Sequence, residues 1–187
     1  MTDFFNNPCG RVKAYCEFPA EKPCRSSSCE PEFGIIDDLS KPEQPAYIQE
    51  FQPREWTVTI SKIKKERYQV NFKAIDNCVI FPSPPGLTIR NNICDGMLFF
   101  RDWLIFIELK DNDQTGYPKK AQDQLSRSIQ VFAESHPEEL KLYTTKRAYI
   151  SNKAKLEAPN MKQTDIDKFA DENFDFELFR SIVIKLP

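Results

Sequence analysis

Glycine and histidine are scarce in this chain, and their scarcity removes several chemistries. The five glycines form neither a GxxxxGK(S/T) nor a GxGxxG run, so the sequence has no backbone-amide cradle for nucleotide phosphates. The one histidine, His136, stands before a proline in a polar segment. Histidine-dependent nucleases, zinc hydrolases with several histidine ligands and Ser/His/Asp triads are therefore disfavoured. No apolar stretch approaches the roughly 18 residues of a spanning helix, and the start MTDFFNNPCG lacks the basic and apolar regions of a secretory signal. These gaps predict a cytoplasmic protein without membrane contact. Positive charge is short as well: the formal net charge is −2 and the pI is near 5.6. Any contact with nucleic-acid phosphate must then be local, or assisted by a second copy or a protein partner.

What is present suffices for one core. With 40% hydrophobic and 12% aromatic residues, 187 residues support one sizeable domain rather than two. Seven of the fourteen prolines fall between Pro8 and Pro53, among Ser26-Ser27-Ser28 and isolated acids, with no sustained period of 2 or 3.6. This texture predicts an irregular Cys/Pro-rich arm over residues 1–54 and a compact domain over residues 55–187. Four of the six cysteines, Cys9, Cys16, Cys24 and Cys29, lie in the arm. Without a secretory signal they read as reduced thiols or metal ligands, and although paired CxxC knuckles are missing, four thiolates in one segment can close a structural zinc site.

From Trp56 the pattern changes to strands. WTVTI, YQVNFKAI and NCVIF alternate or run apolar, with the basic SKIKKER between the first two, and Ser83-Pro84-Pro85-Gly86 then breaks the chain. Residues 93–100 (ICDGMLFF) and 103–110 (WLIFIELK) are apolar runs separated by Arg101 and Asp102, which predicts a hairpin. Apolar residues on both faces mark central strands covered on both sides, so helices should flank the sheet. One helix is predicted from about Pro118 through KKAQDQLSRSIQVFAES, with Ala121, Leu125, Ile129 and Phe132 as its buried stripe. LKLYTTKRAYI is a further strand, Thr164 caps a short helix through DIDKFADE, and FRSIVIKL is a last strand.

With Arg101 and Asp102 at the turn centre, antiparallel pairing places residues whose numbers sum to 203 opposite each other. Asp95 and Glu108 become cross-strand neighbours, and the period of 2 puts Lys110 on the same face as Glu108. Two carboxylates facing each other in an apolar strand pair would destabilise the sheet unless a cation lay between them. An all-oxygen donor set favours Mg²⁺ or Mn²⁺ over zinc. Such a site suits phosphodiester hydrolysis, with the metal activating water and Lys110 orienting that water or stabilising charge on the phosphoryl oxygens. As ordinary structure, Asp95 could start a strand and Glu108 and Lys110 could be edge charges, but this leaves Glu108 unexplained within a run of Trp, Leu, Ile and Phe.

Asp95, then Glu108-Leu109-Lys110 on the next strand, followed by an amphipathic helix, resembles the PD-(D/E)XK nucleases over roughly residues 56–150. The resemblance implies an α/β (mixed α+β) restriction-endonuclease-like fold, a central mixed sheet flanked by helices. It further implies an Mg²⁺-dependent nuclease, with DNA favoured over RNA as partner. Asp95, Glu108 and the Leu109 backbone carbonyl would be metal ligands, and Lys110 the catalytic lysine. The motif here has Cys94 where many members carry proline. Many relatives place a glutamine on the following helix; Gln124 is taken for that role over Gln122, although helical phase does not separate them. Lys62, Lys64, Lys65, Arg67, Arg90, Lys119, Lys120, Lys146 and Arg147 are candidate phosphate contacts and equally ordinary solvated charges. A catalytically silent binding or assembly module acting with a partner protein is the alternative reading.

Overall fold

The computed structural model describes residues 4–5, 24–38, 40, 44–79, 93–111, 117–154 and 161–187. The chain is mixed α/β, with two mixed sheets and three helices among these residues. The first sheet has six strands in the order β1 (Arg25–Ser28), β5 (Val70–Ala74), β6 (Gly96–Phe100), β7 (Trp103–Lys110), β8 (Thr145–Asn152) and β9 (Glu177–Arg180). The second has four, in the order β10 (Val183–Leu186), β4 (Val58–Lys62), β2 (Glu32–Ile36) and β3 (Tyr47–Gln49).

The hairpin β6–β7 has the expected register, from Phe100 opposite Trp103 to Gly96 opposite Ile107. Arg101 turns the chain with a left-handed φ of 48°. The Asp102 carbonyl accepts the amides of Thr144 (3.0 Å) and Thr145 (3.1 Å), tying the hairpin tip to the start of β8. β7 and β8 run parallel because α1 (Tyr117–Ser135) carries the chain back across the sheet. Ala121, Leu125, Ile129 and Phe132 are fully buried and pack with Leu104, Phe106, Ala148 and Ile150. Burial of Leu125, Ile129 and Phe132 contributes roughly 1.5–3 kcal/mol each. The shorter α2 (Pro137–Leu140) and α3 (Gln163–Glu172) complete the helices, and α3 leads into β9, which runs parallel to β8.

The opposite face of the six-stranded sheet is covered by the second sheet and not by helices as the sequence predicts. Phe33, Ile35, Val58, Ile60, Ile184 and Leu186 join Val70, Phe72, Leu98, Ile105, Ile107 and Leu109 in one apolar cluster. A continuous apolar strand signals two covered faces without specifying what covers them.

Other expectations are corrected. Within the predicted irregular arm over residues 1–54, the described residues hold sheet strands: β1 pairs with β5, and β2 is an interior strand with Phe33, Ile35 and Ile36 buried. Residues 77–79 of the predicted strand NCVIF are a turn in which the amides of Cys78 (3.1 Å) and Val79 (2.8 Å) donate to the Ile75 carbonyl, and its residues 80–81 lie outside the described residues. FRSIVIKL is two strands in two sheets, because Ser181 Oγ accepts the Val183 amide at 3.1 Å and turns the chain between them. Thr164 lies inside α3, which follows Lys162 and has no side-chain cap. Cys24 forms a disulfide with Cys78, their Cα atoms 6.1 Å apart, so it has no thiolate for zinc. The four-cysteine zinc site is thereby lost. Cys29 is exposed and free, while Cys9 and Cys16 lie outside the described residues.

Candidate active site

The strand ladder of β6 stops at Gly96, one pair short of Asp95 and Glu108. Asp95 is instead fixed through other contacts. Its carbonyl accepts the Ile75 amide at 2.8 Å, and its Oδ2 accepts the Leu109 amide at 2.5 Å. The Leu109 peptide thus serves Asp95 as a donor, a role different from the carbonyl ligation implied by the resemblance. A carboxylate replaces a ladder partner on β7, where the Lys110 ammonium attracts it and the Glu108 carboxylate repels it.

Glu108 is fully buried. Lys110 Nζ bonds its Oε1, as strand period 2 allows, while Oε2 is buried without a hydrogen-bond partner. Lys110 keeps 18% of its side chain exposed. Three groups singled out from sequence, Asp95, Glu108 and Lys110, therefore share one end of the sheet.

Two further acids reach the same end from other strands. Asp37 follows β2, and its amide donates to Thr57 Oγ1 at 3.2 Å. The Thr57 carbonyl accepts Ser151 Oγ at 3.4 Å, and Ser151 stands opposite Leu109 in the parallel ladder. Asp76 follows Ile75, the residue that binds the Asp95 carbonyl, and accepts the Asn77 amide at 2.9 Å. Sequence reasoning passed over both acids. Their only signal is position: each ends an apolar strand segment, GIID and KAID.

The charges act on one another. Burial pushes the Glu108 carboxyl up to about 7, with Lys110 pulling the other way. Burial, then the charges of Glu108 and Asp37, hold Asp95 well above the usual carboxylate range. Burial and Asp76 raise Asp37. Burial would lower Lys110, but Glu108, Asp95 and Asp37 together outweigh it and keep the ammonium charged. Cys94, beside Asp95, is fully buried and its thiol is pushed well up, which leaves no ready thiolate nucleophile there.

The donor chemistry fits a hard cation: carboxylate oxygens from Asp95 and Glu108, and a buried Glu108 Oε2 that lacks a partner. Among the described residues no three Asp, Glu, His or Cys side chains form a metal cage. An ion held here would take two carboxylates and complete its shell with water and substrate oxygens, as Mg²⁺ ordinarily does.

The remaining candidates are distributed unevenly. Gln124 is buried on α1, and its Nε2 donates to the Ile93 carbonyl at 2.9 Å, so its amide is engaged with backbone. Gln122 is half-buried on the same helix. Lys119 and Lys120 are exposed in the first turn of α1. Lys62 is removed as a phosphate contact, because it is buried and its Nζ donates to the Tyr68 carbonyl at 2.6 Å. Arg147 is stacked on Trp103 (4.6 Å) and Phe179 (5.1 Å), and Lys146 faces Asp175 at 3.6 Å. Both lie toward the Trp103 end of β7, away from Lys110. Lys64, Lys65 and Arg67 are exposed, and Arg90 lies outside the described residues. No helix among the described residues is long and apolar enough to cross a membrane. No protein-family model, curated protein or solved structure matches this chain.

Proposed function

We propose that the chain is a metal-dependent phosphodiesterase acting on nucleic acid, a nuclease of the PD-(D/E)XK type. The observation that carries this reading is Glu108: a carboxylate buried in an apolar strand, one oxygen on Lys110 and the other without a partner, beside Asp95. Natural cores rarely keep such a group without a functional reason. Asp95 and Glu108 would hold Mg²⁺ or Mn²⁺, and the ion would supply Lewis-acid polarisation of the scissile phosphate and a lowered pKa for a water. The Leu109 amide aims the Asp95 carboxylate. Lys110, partly exposed and charged, orients the attacking water and offsets charge gathering on the phosphoryl oxygens. Lys119 and Lys120, exposed at the start of the helix that follows β7, supply positive charge for a phosphate backbone in a chain of net charge −2. The restriction-endonuclease-like fold and the preference for DNA belong to the same proposal.

Cleavage of labelled DNA and RNA in Mg²⁺ or Mn²⁺, by wild type and by Lys110→Ala, tests it. Cleavage by the wild type and its loss in the variant are expected. Equal cleavage by both sinks the assignment, and a wild type that binds nucleic acid without cleaving it favours the silent assembly module.

A further inference from the structure

Asp95 lies just outside the ladder of β6, so its position depends on what grips residues 93–95. α1 does this with two buried side chains one turn apart. Gln124 Nε2 donates to the Ile93 carbonyl at 2.9 Å, and Ser128 Oγ accepts the Cys94 amide at 2.9 Å. Ser128 is fully buried, Gln124 is 8% exposed, and they stand at i and i+4, on the face that also carries Leu125 and Ile129. One side chain donates and the other accepts, so each satisfies a backbone group on one of two successive residues immediately before Asp95. On the far side the Ile75 amide holds the Asp95 carbonyl at 2.8 Å.

We infer that Gln124 and Ser128 are a two-point clamp, through which α1 sets the placement of the Asp95 carboxylate opposite Glu108 and Lys110. The inference rests on the reading of Asp95 and Glu108 as a cation site. Both are positioning residues: neither side chain needs to touch substrate or ion, and the helix backbone gives the clamp a rigid base. Ser128 is the more informative of the pair. Without its hydroxyl the Cys94 amide is buried and unpaired, and the simplest relief is a rotation of the 93–95 backbone that carries Asp95 with it. Residues that orient metal ligands typically contribute 10–100-fold to metal affinity. The same range is expected here, because Asp95 supplies one of the two carboxylates assigned to the ion.

Mn²⁺ affinity of the full chain, read from the electron paramagnetic resonance signal of free Mn²⁺, tests the clamp without requiring turnover. Ser128→Ala and Gln124→Leu are each expected to weaken Mn²⁺ binding 10–100-fold, with cleavage recovering as Mn²⁺ is raised. Ile129→Val, which loosens the same buried face without touching residues 93–95, should leave Mn²⁺ affinity unchanged. If wild type binds Mn²⁺ and both clamp variants bind it equally well, the clamp is refuted while the cation site stands. An equal loss in Ile129→Val would show that general softening of α1 suffices, which also refutes the clamp. If wild type binds no Mn²⁺, the cation site and the clamp fall together. Should Ser128→Ala fail to fold, Gln124→Leu against Ile129→Val decides the question alone.

Discussion

Replacing Glu108 by glutamine should make the cation-free protein more stable at alkaline pH. The carboxyl is fully buried, and its pKa is raised from 4.5 to about 7 even with Lys110 beside it. Between those two values the folded protein keeps a proton that the unfolded chain releases, so stability falls as pH rises through the window. At 1.36 kcal/mol per pKa unit, the charged carboxylate costs about 3 kcal/mol above pH 7. Asp95, raised in the same direction by burial and by the Glu108 charge, adds to the slope. Glutamine removes the buried charge and relieves Asp95. The opposing effect is the loss of the ion pair to Lys110, but that ammonium is partly exposed and still faces Asp95 and Asp37, so it is not left uncompensated. The net expectation is a gain of about 1–3 kcal/mol for Glu108→Gln at pH 8, vanishing near pH 5. Urea unfolding followed by the fluorescence of Trp56 and Trp103 at pH 5, 6.5 and 8 measures it. A variant less stable than wild type at pH 8, or one with the wild-type pH slope, would refute the reasoning. Millimolar Mg²⁺ should flatten the wild-type slope by stabilising the ionised form.

Three further outcomes are expected. Reducing the Cys24–Cys78 disulfide frees a loop whose ends are 54 residues apart, which costs about 4 kcal/mol by loop-closure entropy. For a chain of this size the melting temperature should drop by about 10 °C, and calorimetry with and without reductant reads it; an unchanged value would show that the crosslink constrains nothing. Gly96→Ala should lose about 1–3 kcal/mol in chemical denaturation, because a Cβ there would stand 2.3 Å from the Phe72 ring and 2.8 Å from the Lys73 carbonyl. A neutral result would mean that the β5–β6 contact is looser than its spacing. Phe132→Ala should cost about 3–5 kcal/mol, since its ring meets Phe4, Phe106 and His136 at centroid distances of 5.2, 5.7 and 5.3 Å. A loss under 1 kcal/mol would mean that the site collapses to fill the space.

The hairpin was legible because its signals are local. Two apolar runs with a two-residue centre set a register, and the register placed Asp95, Glu108 and Lys110 before any fold was known. The stripe on α1 was legible for the same reason, since period 3.6 survives in any context. Asp37 and Asp76 were not, because they come from separate strands, and only the pairing of β2 with β4 and of β5 with β6 brings their charges to bear on Glu108. Strands β1 and β3 are three or four residues long and polar or mixed, too short for a period of 2 to stand out among prolines. The apolar run NCVIF misled for a different reason: Cys78 and Val79 are buried in a stapled turn, and burial alone does not require a strand.

The second sheet has a consequence for how the chain is made. β4 is flanked by β2, whose Ile35 pairs with Val58 from 23 positions earlier, and by β10, whose Ile184 pairs with Ile60 from 124 positions later. During synthesis β4 therefore waits with one row of amides and carbonyls unpaired until almost every other described element has emerged. An open edge with Val58 and Ile60 beside it is a template for pairing with other nascent chains. Expression yield should thus depend on how fast the segment holding β10 arrives, and a chaperone that covers strand edges should raise it more than one that isolates finished domains.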